Sequence, residues 1–144
     1  MRLNYKNYFR FGVSLFVLFM LVTSCDKISN IGSGENKNKL YFCEKYDLAS
    51  DKCEGKSTKY TSGRLTVMVD LRPSKTKLGV SKVNINVTDL NSGKPIDTFE
   101  FNTEEDMDYV YFEDVNFKEP GKFRVSALKP DGTVIVSNEI EIVE

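Results

Sequence analysis

Apolar and polar residues alternate along most of the chain beyond position 60. In RLTVMVDL (64–71), Leu65, Val67, Val69 and Leu71 share one face, while Thr66, Met68 and Asp70 share the other. The same alternation recurs in five further stretches: KVNINVTDL (82–90), TFEFN (98–102), KFRVSAL (122–128), TVIVS (133–137) and EIEIV (139–143). DYVYFEDV (108–115) is apolar on both faces. A period of two is typical of half-buried β-strands.

Turn-forming residues separate these stretches. Pro, Gly, Asn or Asp occur at 72–74, 91–95, 119–121 and 130–132, where the chain must reverse. No stretch shows a capped helical stripe. Six or seven short strands at this spacing predict an all-β fold, an antiparallel β-sandwich of about seven strands over residues 40–144.

The N-terminal region has a different pattern. Arg2, Lys6 and Arg10 precede an uncharged run at 11–22, FGVSLFVLFMLV. That run is too short to cross a membrane, which takes about 20 helical residues. A basic start followed by a short apolar run is typical of a secretory signal peptide.

The end of the apolar run resembles the lipobox of bacterial lipoproteins, in the residues Val22-Thr23-Ser24-Cys25. The resemblance implies cleavage before Cys25, lipidation of its sulfur and removal of residues 1–24. Thr23 and Ser24 are similar to the more permissive lipoboxes of spirochaetes. Two acyl chains on one residue suffice for stable anchoring. We therefore expect a lipid-anchored protein of the bacterial cell envelope, in the outer membrane, on its periplasmic or surface face.

Composition narrows the partners. Residues 25–39, rich in Asn, Gly, Ser and Lys, are typical of a flexible tether that carries the lipidated cysteine. Beyond residue 24 the chain carries 17 basic and 21 acidic residues, a net charge of −4. A nucleic-acid-binding protein needs a basic face, so we expect no nucleic acid among the partners. The partners expected are the membrane, through the lipid, and a protein.

The chain contains no histidine. This excludes Ser-His-Asp and Cys-His catalysis and removes the usual general base at neutral pH. We therefore expect no catalytic residues, no enzyme activity and no cofactor.

With Cys25 lipidated, Cys43 and Cys53 remain as an even pair. An exported protein meets an oxidising compartment, which favours a Cys43–Cys53 disulfide within an N-terminal segment at 40–62. Two roles stay open for the loop they close. It can be a recognition loop that presents Tyr41 and Tyr46, or a staple that fastens the N-terminal strand to the domain.

The C-terminal third, residues 109–143, resembles the last three strands of an immunoglobulin-like or fibronectin type III-like sandwich. Gly121, Phe123, Val125 and Ala127 stand in the F-strand pattern, and 130–132 in the turn that follows it. The resemblance implies a fold rather than a function. The family's corner tyrosine is absent, because Phe123 has no hydroxyl.

Two further groups are candidate sites. The acidic residues Glu104, Glu105, Asp106 and Asp108 are dense enough to suggest Ca²⁺, but their spacing favours a solvated connection and no metal. Five aromatic residues can form a ligand platform or fill the core: Tyr109, Tyr111, Phe112, Phe117 and Phe123. We expect alternate members of this set to lie in the core. Tyr109 and Tyr111, with Tyr41 and Tyr46, are the expected ligand or interface residues.

These observations predict an envelope lipoprotein that presents a non-catalytic β-sandwich for protein or ligand binding. An alternative is a structural accessory lipoprotein of an envelope assembly or secretion complex. A carboxylate-based hydrolase is a third, weaker alternative.

Overall fold

Ten β-strands form in residues 38–144, the part of the chain that the computed structural model describes. The strands are β1 Lys39–Cys43, β2 Lys45–Asp47, β3 Lys52–Glu54, β4 Lys59–Thr61, β5 Gly63–Asp70, β6 Lys82–Asp89, β7 Pro95–Asn102, β8 Tyr109–Phe117, β9 Gly121–Leu128 and β10 Val134–Val143. Seven of these have five residues or more, and β2, β3 and β4 have three each. The number agrees with the prediction of about seven, but the stretches predicted at 133–137 and 139–143 form the single strand β10, and β1 is the seventh. The predicted signal peptide, Cys25 and nearly all of the tether lie outside the described residues.

Two sheets form the sandwich. One has the order β1-β5-β8 and the other β4-β10-β9-β6-β7, while β2 and β3 form a separate hairpin. The predicted all-β antiparallel sandwich is confirmed, with one parallel pair, β4 against β10. The first, second and fifth long strands share one sheet, and the third, fourth, sixth and seventh share the other. Immunoglobulin-like sandwiches have the same two-sheet antiparallel architecture, although the constant-type domains place the fourth strand with the first, second and fifth.

The core lies between the inner faces of the two sheets. The predicted row Leu65, Val67, Val69 and Leu71 is buried from the β5 side. The opposite sheet contributes the alternating residues of β6 and β9, namely Val83, Ile85, Val87, Phe123, Val125 and Ala127. Because both rows follow the period of two, each strand has one apolar face to bury.

Members of the predicted aromatic set are divided between the core and the opposite face of their strand, as expected. Phe112, Phe117 and Phe123 are buried in this core. The Phe117 and Phe123 ring centroids lie 6.0 Å apart. Tyr109 and Tyr111 belong to the other face of β8 and lie outside the core.

The short strand β4 was not predicted. Its central residue, Tyr60, is buried, and its hydroxyl lies 2.8 Å from both the Phe42 and Gly55 carbonyl oxygens. Those two carbonyls flank the Cys43–Cys53 loop. Tyr60 therefore ties both ends of the loop to the edge of the five-stranded sheet.

No helix in residues 38–144 has the length and apolar character needed to cross a membrane.

Candidate functional site: a tyrosine face under a disulfide-linked hairpin

The outer face of the sheet β1-β5-β8 carries a row of apolar side chains. Strand register places Tyr41 of β1 opposite Met68 of β5, and Met68 opposite Tyr111 of β8. Tyr109 lies two residues before Tyr111 in β8 and is opposite Asp70 of β5. These positions alternate with the core row, so they project away from the sandwich interior.

The hairpin β2–β3 covers this row. The Cys43–Cys53 disulfide joins the end of β1 to β3, with its Cα atoms 5.4 Å apart, as predicted. Tyr46 of β2 packs with its ring centroid 4.7 Å from that of Tyr111 at a tilt of 31°. Cys43 and Met68 are fully buried beneath it. A second, small apolar cluster therefore lies outside the main core.

We call this surface the tyrosine face. It comprises Tyr41, Tyr46, Tyr109 and Tyr111, with Met68 and the disulfide below them. The structure thus brings together the four tyrosines predicted as ligand or interface residues. Tyr46 is only 8% exposed, whereas Tyr41, Tyr109 and Tyr111 are half-buried.

The tip of the hairpin is held by its own side chains. The Asp47 carboxylate accepts hydrogen bonds from the Ala49 amide at 3.0 Å and from the Ser50 hydroxyl at 2.6 Å. The Ser50 hydrogen bond is the main reason that the pKa of Asp47 lies below its ordinary value. This turn projects Leu48 outward, 68% exposed. The disulfide thus links the base of the hairpin to β1, and Leu48 at its tip is exposed.

Two cations lie over the tyrosine rings. The Arg72 guanidinium is 3.6 Å from the Tyr109 ring centroid, and the Lys56 ammonium is 3.9 Å from that of Tyr41. Arg72 also donates two hydrogen bonds to the Asp70 carboxylate, at 2.8 and 2.9 Å. These bonds hold the pKa of Asp70 below its ordinary value and raise that of Arg72. Cations so placed are attracted to the ring faces.

The two cations were not predicted. Arg72 comes from the 3-10 turn Arg72–Ser74, directly after β5, and Lys56 from the segment after the hairpin. The sequence holds a weak signal for Arg72, since Asp70 precedes it by two residues. It holds none for Lys56, whose contact depends on how the disulfide-linked segment returns to the sheet.

The phenols are held neutral. Burial, and then the hydrogen bond with the Tyr109 hydroxyl at 3.0 Å, raise the pKa of Tyr41. The pKa of Tyr46 is raised chiefly by its hydrogen bond to the Asp51 carboxylate, and that of Tyr60 chiefly by burial. The hydroxyls of Tyr41, Tyr46 and Tyr60 are therefore neutral near pH 7. The face is suited to contact through neutral hydroxyls, ring edges and fixed cations.

The raised pKa values predict a loss of stability in alkali. The unfolded chain ionises its tyrosines near pH 10, about their ordinary pKa, while the folded chain keeps these three neutral. Their stabilisation is complete below that pH and is lost as the pH rises above it. Urea unfolding midpoints measured from pH 8 to 11 should fall less steeply in Tyr41→Phe than in the unaltered protein. Equal slopes would show that Tyr41 is not held neutral.

The acidic candidates for Ca²⁺ lie in the loop between β7 and β8. Glu104, Glu105 and Asp106 are exposed, and the Asp108 carboxylate pairs with the Lys77 ammonium at 2.6 Å. In the part of the chain that the structure describes, no three His, Cys, Asp or Glu side chains are placed to hold a metal ion. Glu104, Glu105 and Asp106 thus lie in a solvated connection between two strands.

The comparisons with known proteins do not place the chain in a family. No protein-family model and no curated protein matches it. Among solved structures, it is similar to the crystal structure of an endonuclease/exonuclease/phosphatase from Beutenbergia cavernae DSM 12333, with 18% identity and a TM-score of 0.31. That similarity covers 56% of this chain and 21% of the other, and carries no inference about function.

Proposed function

We propose that this chain is a non-catalytic, lipid-anchored envelope protein whose β-sandwich binds a protein partner through the tyrosine face. The observation that carries the proposal is the assembly of four tyrosines with Arg72 and the exposed Leu48 on one surface. Tyrosine and arginine are enriched at the centres of protein interfaces. The lipid on Cys25 would hold the protein at the outer membrane, and residues 26–39 would separate the domain from the bilayer.

The arrangement favours binding because the surface is already ordered. The disulfide, the Asp47 turn and the contact between Tyr46 and Tyr111 fix the hairpin before any partner arrives. A surface that is rigid in its bound form avoids the conformational entropy of ordering, about 0.5–1.5 kcal/mol for each mobile side chain. Leu48 at the tip is then an apolar group that a partner pocket can bury.

Photo-crosslinking in intact cells tests the proposal. A photoreactive amino acid placed at Leu48 should yield one discrete adduct with a second protein. The matched control places it at Val134, another exposed apolar residue, 57% exposed, in a different sheet. Adducts at Leu48 that match those at Val134, or none at Leu48, would contradict binding through this face.

The same partner should require the cation beside Tyr109. Arg72→Glu is expected to abolish the Leu48 adduct, because it reverses the charge presented next to the ring. Arg124→Glu is the matched control. Arg124 also pairs with a carboxylate, Glu139 at 3.0 Å, but it belongs to the five-stranded sheet. The adduct should survive that control change.

A further inference from the structure

Strand β7 is one of the two outer strands of the five-stranded sheet, at the end opposite β4. It pairs with β6 on one side, and no described strand pairs with it on the other. From Asp97 to Asn102 its register against β6 is unbroken and contains no proline. Natural proteins usually protect an edge of this length with a bulge, a proline or an inward charge.

The ladder geometry shows which backbone groups face outward. The Thr103 amide donates to the Ser81 carbonyl at 3.0 Å, and 81–103 continues the register of the β6–β7 pairs. Hydrogen-bonded and non-hydrogen-bonded pairs alternate along an antiparallel ladder. The N–H and C=O groups of Thr98, Glu100 and Asn102 therefore point away from β6, toward the open side.

The neighbouring edge, β8, differs in this respect. Its register against β5 shifts between Leu65 and Val67, and Asp114 there has a φ of 62°. Asp114 also pairs with Arg64 at 3.2 Å. A bulge with charged side chains discourages strand addition, and β8 has such a bulge whereas the Thr98–Asn102 part of β7 has neither a bulge nor an inward charge.

The inner face of β7 has a distinct chemistry. Every second residue of the strand lies on that face and is half-buried, namely Asp97, Phe99 and Phe101. The Phe101 ring centroid lies 4.9 Å from that of Phe112 in the other sheet. A strand added beside β7 would meet two aromatic rings and then one carboxylate.

A cavity of about 250 Å³ opens beside Asp97. Its walls include the buried apolar side chains of Val87, Phe117 and Phe123. Three charged residues, Asp89, Lys118 and Glu119, line it together with Asp97, so carboxylates outnumber the one cation. This volume is below the roughly 300–1,000 Å³ of pockets for drug-sized ligands, and suits one side chain. Apolar walls with carboxylates match a lysine or arginine, whose stem is apolar and whose head is charged.

The charge of residues 95–120 also favours a basic partner. Residues 95–120 carry nine acidic residues and one basic residue, Lys118. Asp89, Asp97 and Glu119 are absent from the ion pairs formed within residues 38–144. A basic partner segment is therefore electrostatically favoured over an acidic one.

We infer that the β7 edge and the adjoining cavity bind an extended basic segment of a partner protein, which adds a strand to the sheet. In antiparallel pairing the segment has the pattern apolar-x-apolar-x-basic, with the apolar side chains beside Phe101 and Phe99. The basic side chain enters the cavity next to Asp97. Backbone hydrogen bonds give such strand addition its affinity, and the side-chain pockets give it specificity.

Peptide binding to the full chain in detergent tests the inference. The probe is a fluorescent Thr-Val-Thr-Val-Thr-Arg-Thr amide, and its control carries Glu in place of Arg. Anisotropy should show saturable binding of the first peptide, with the control at least about tenfold weaker. Failure of the arginine peptide to bind at about 1 mM, or equal binding of both, overturns the inference.

Two variants locate the site. Asp97→Lys should weaken binding about tenfold or more by reversing the charge beside the cavity. Glu100→Pro should do the same by removing an outward N–H from a strand edge, where proline is tolerated. Glu100→Thr, which keeps the N–H and removes the carboxylate, should stay within about threefold. Unchanged binding by Asp97→Lys contradicts the site, even if Glu100→Pro fails to fold.

The result is independent of the proposed function. The peptide experiment uses neither the lipid nor the tyrosine face, and the crosslinking experiment uses neither the β7 edge nor the cavity. Each proposal can therefore fail while the other stands.

Discussion

Replacing Cys43 and Cys53 together by alanine is expected to lower the free energy of unfolding by about 3 kcal/mol. The two cysteines are 10 residues apart, and closing a loop of that size restricts the unfolded chain by about this amount. The native state loses little of its main core, because the buried row between the two sheets does not include the disulfide. The hairpin loses its attachment, so Tyr46 should leave Tyr111 while the sandwich remains folded.

Urea unfolding measures the change, and hydrogen exchange locates it. Amides of residues 45–54 should exchange faster in the double variant, while those of β6 and β9 keep their protection relative to global unfolding. The unaltered protein under reducing conditions is the matched control, and its unfolding midpoint should fall toward that of the variant. If the midpoint is unchanged while two thiols are shown to be free, the disulfide does not stabilise the fold.

Cys25→Ala is expected to abolish membrane attachment altogether. The proposed anchor is covalent, and removing the acceptor sulfur removes every acyl chain that depends on it. Acyl chains contribute about 0.8 kcal/mol for each buried CH₂, whereas a domain with net negative charge has no comparable attraction to the bilayer. Metabolic labelling with a fatty acid, followed by membrane fractionation, should show loss of both label and attachment. The Cys43→Ala/Cys53→Ala variant is the matched control and should retain both.

The fold was predictable because its cause is local. Period-two alternation gives most of the long strands one apolar face, and the turn residues fix where the chain reverses. In residues 122–128 the predicted inner row is the buried row. In residues 64–71 the predicted row is buried, and Thr66 and Met68 of the other face are buried as well. Strand β4 escaped prediction, because KYT has no alternating pattern of its own and pairs in parallel with a strand 82 positions later in register.

The sequence predicts which tyrosines belong to the site, but it does not predict how they are arranged in space. Tyr41, Tyr46, Tyr109 and Tyr111 were identified as aromatic residues on a strand or in the disulfide loop. Their meeting depends on the three-strand register and on the hairpin folding back over it, which no local pattern specifies. The cations over the rings depend in turn on that fold.

The β7 edge shows a different limit. The segment TFEFN predicts a strand, and the strand forms. Which side of it pairs is a property of the sheet order, in which β6 lies between β9 and β7 and no described strand follows β7. The sequence alone therefore does not reveal that Thr98, Glu100 and Asn102 direct their backbone groups outward.

The lipid anchor is most directly tested by intact-mass spectrometry of the protein extracted from membranes. The expected mass is that of residues 25–144 with an acylated Cys25, and peptide mapping should find no residue before Cys25. A chain that still begins at Met1, or an unmodified Cys25 in the membrane fraction, would contradict the proposed lipid anchor.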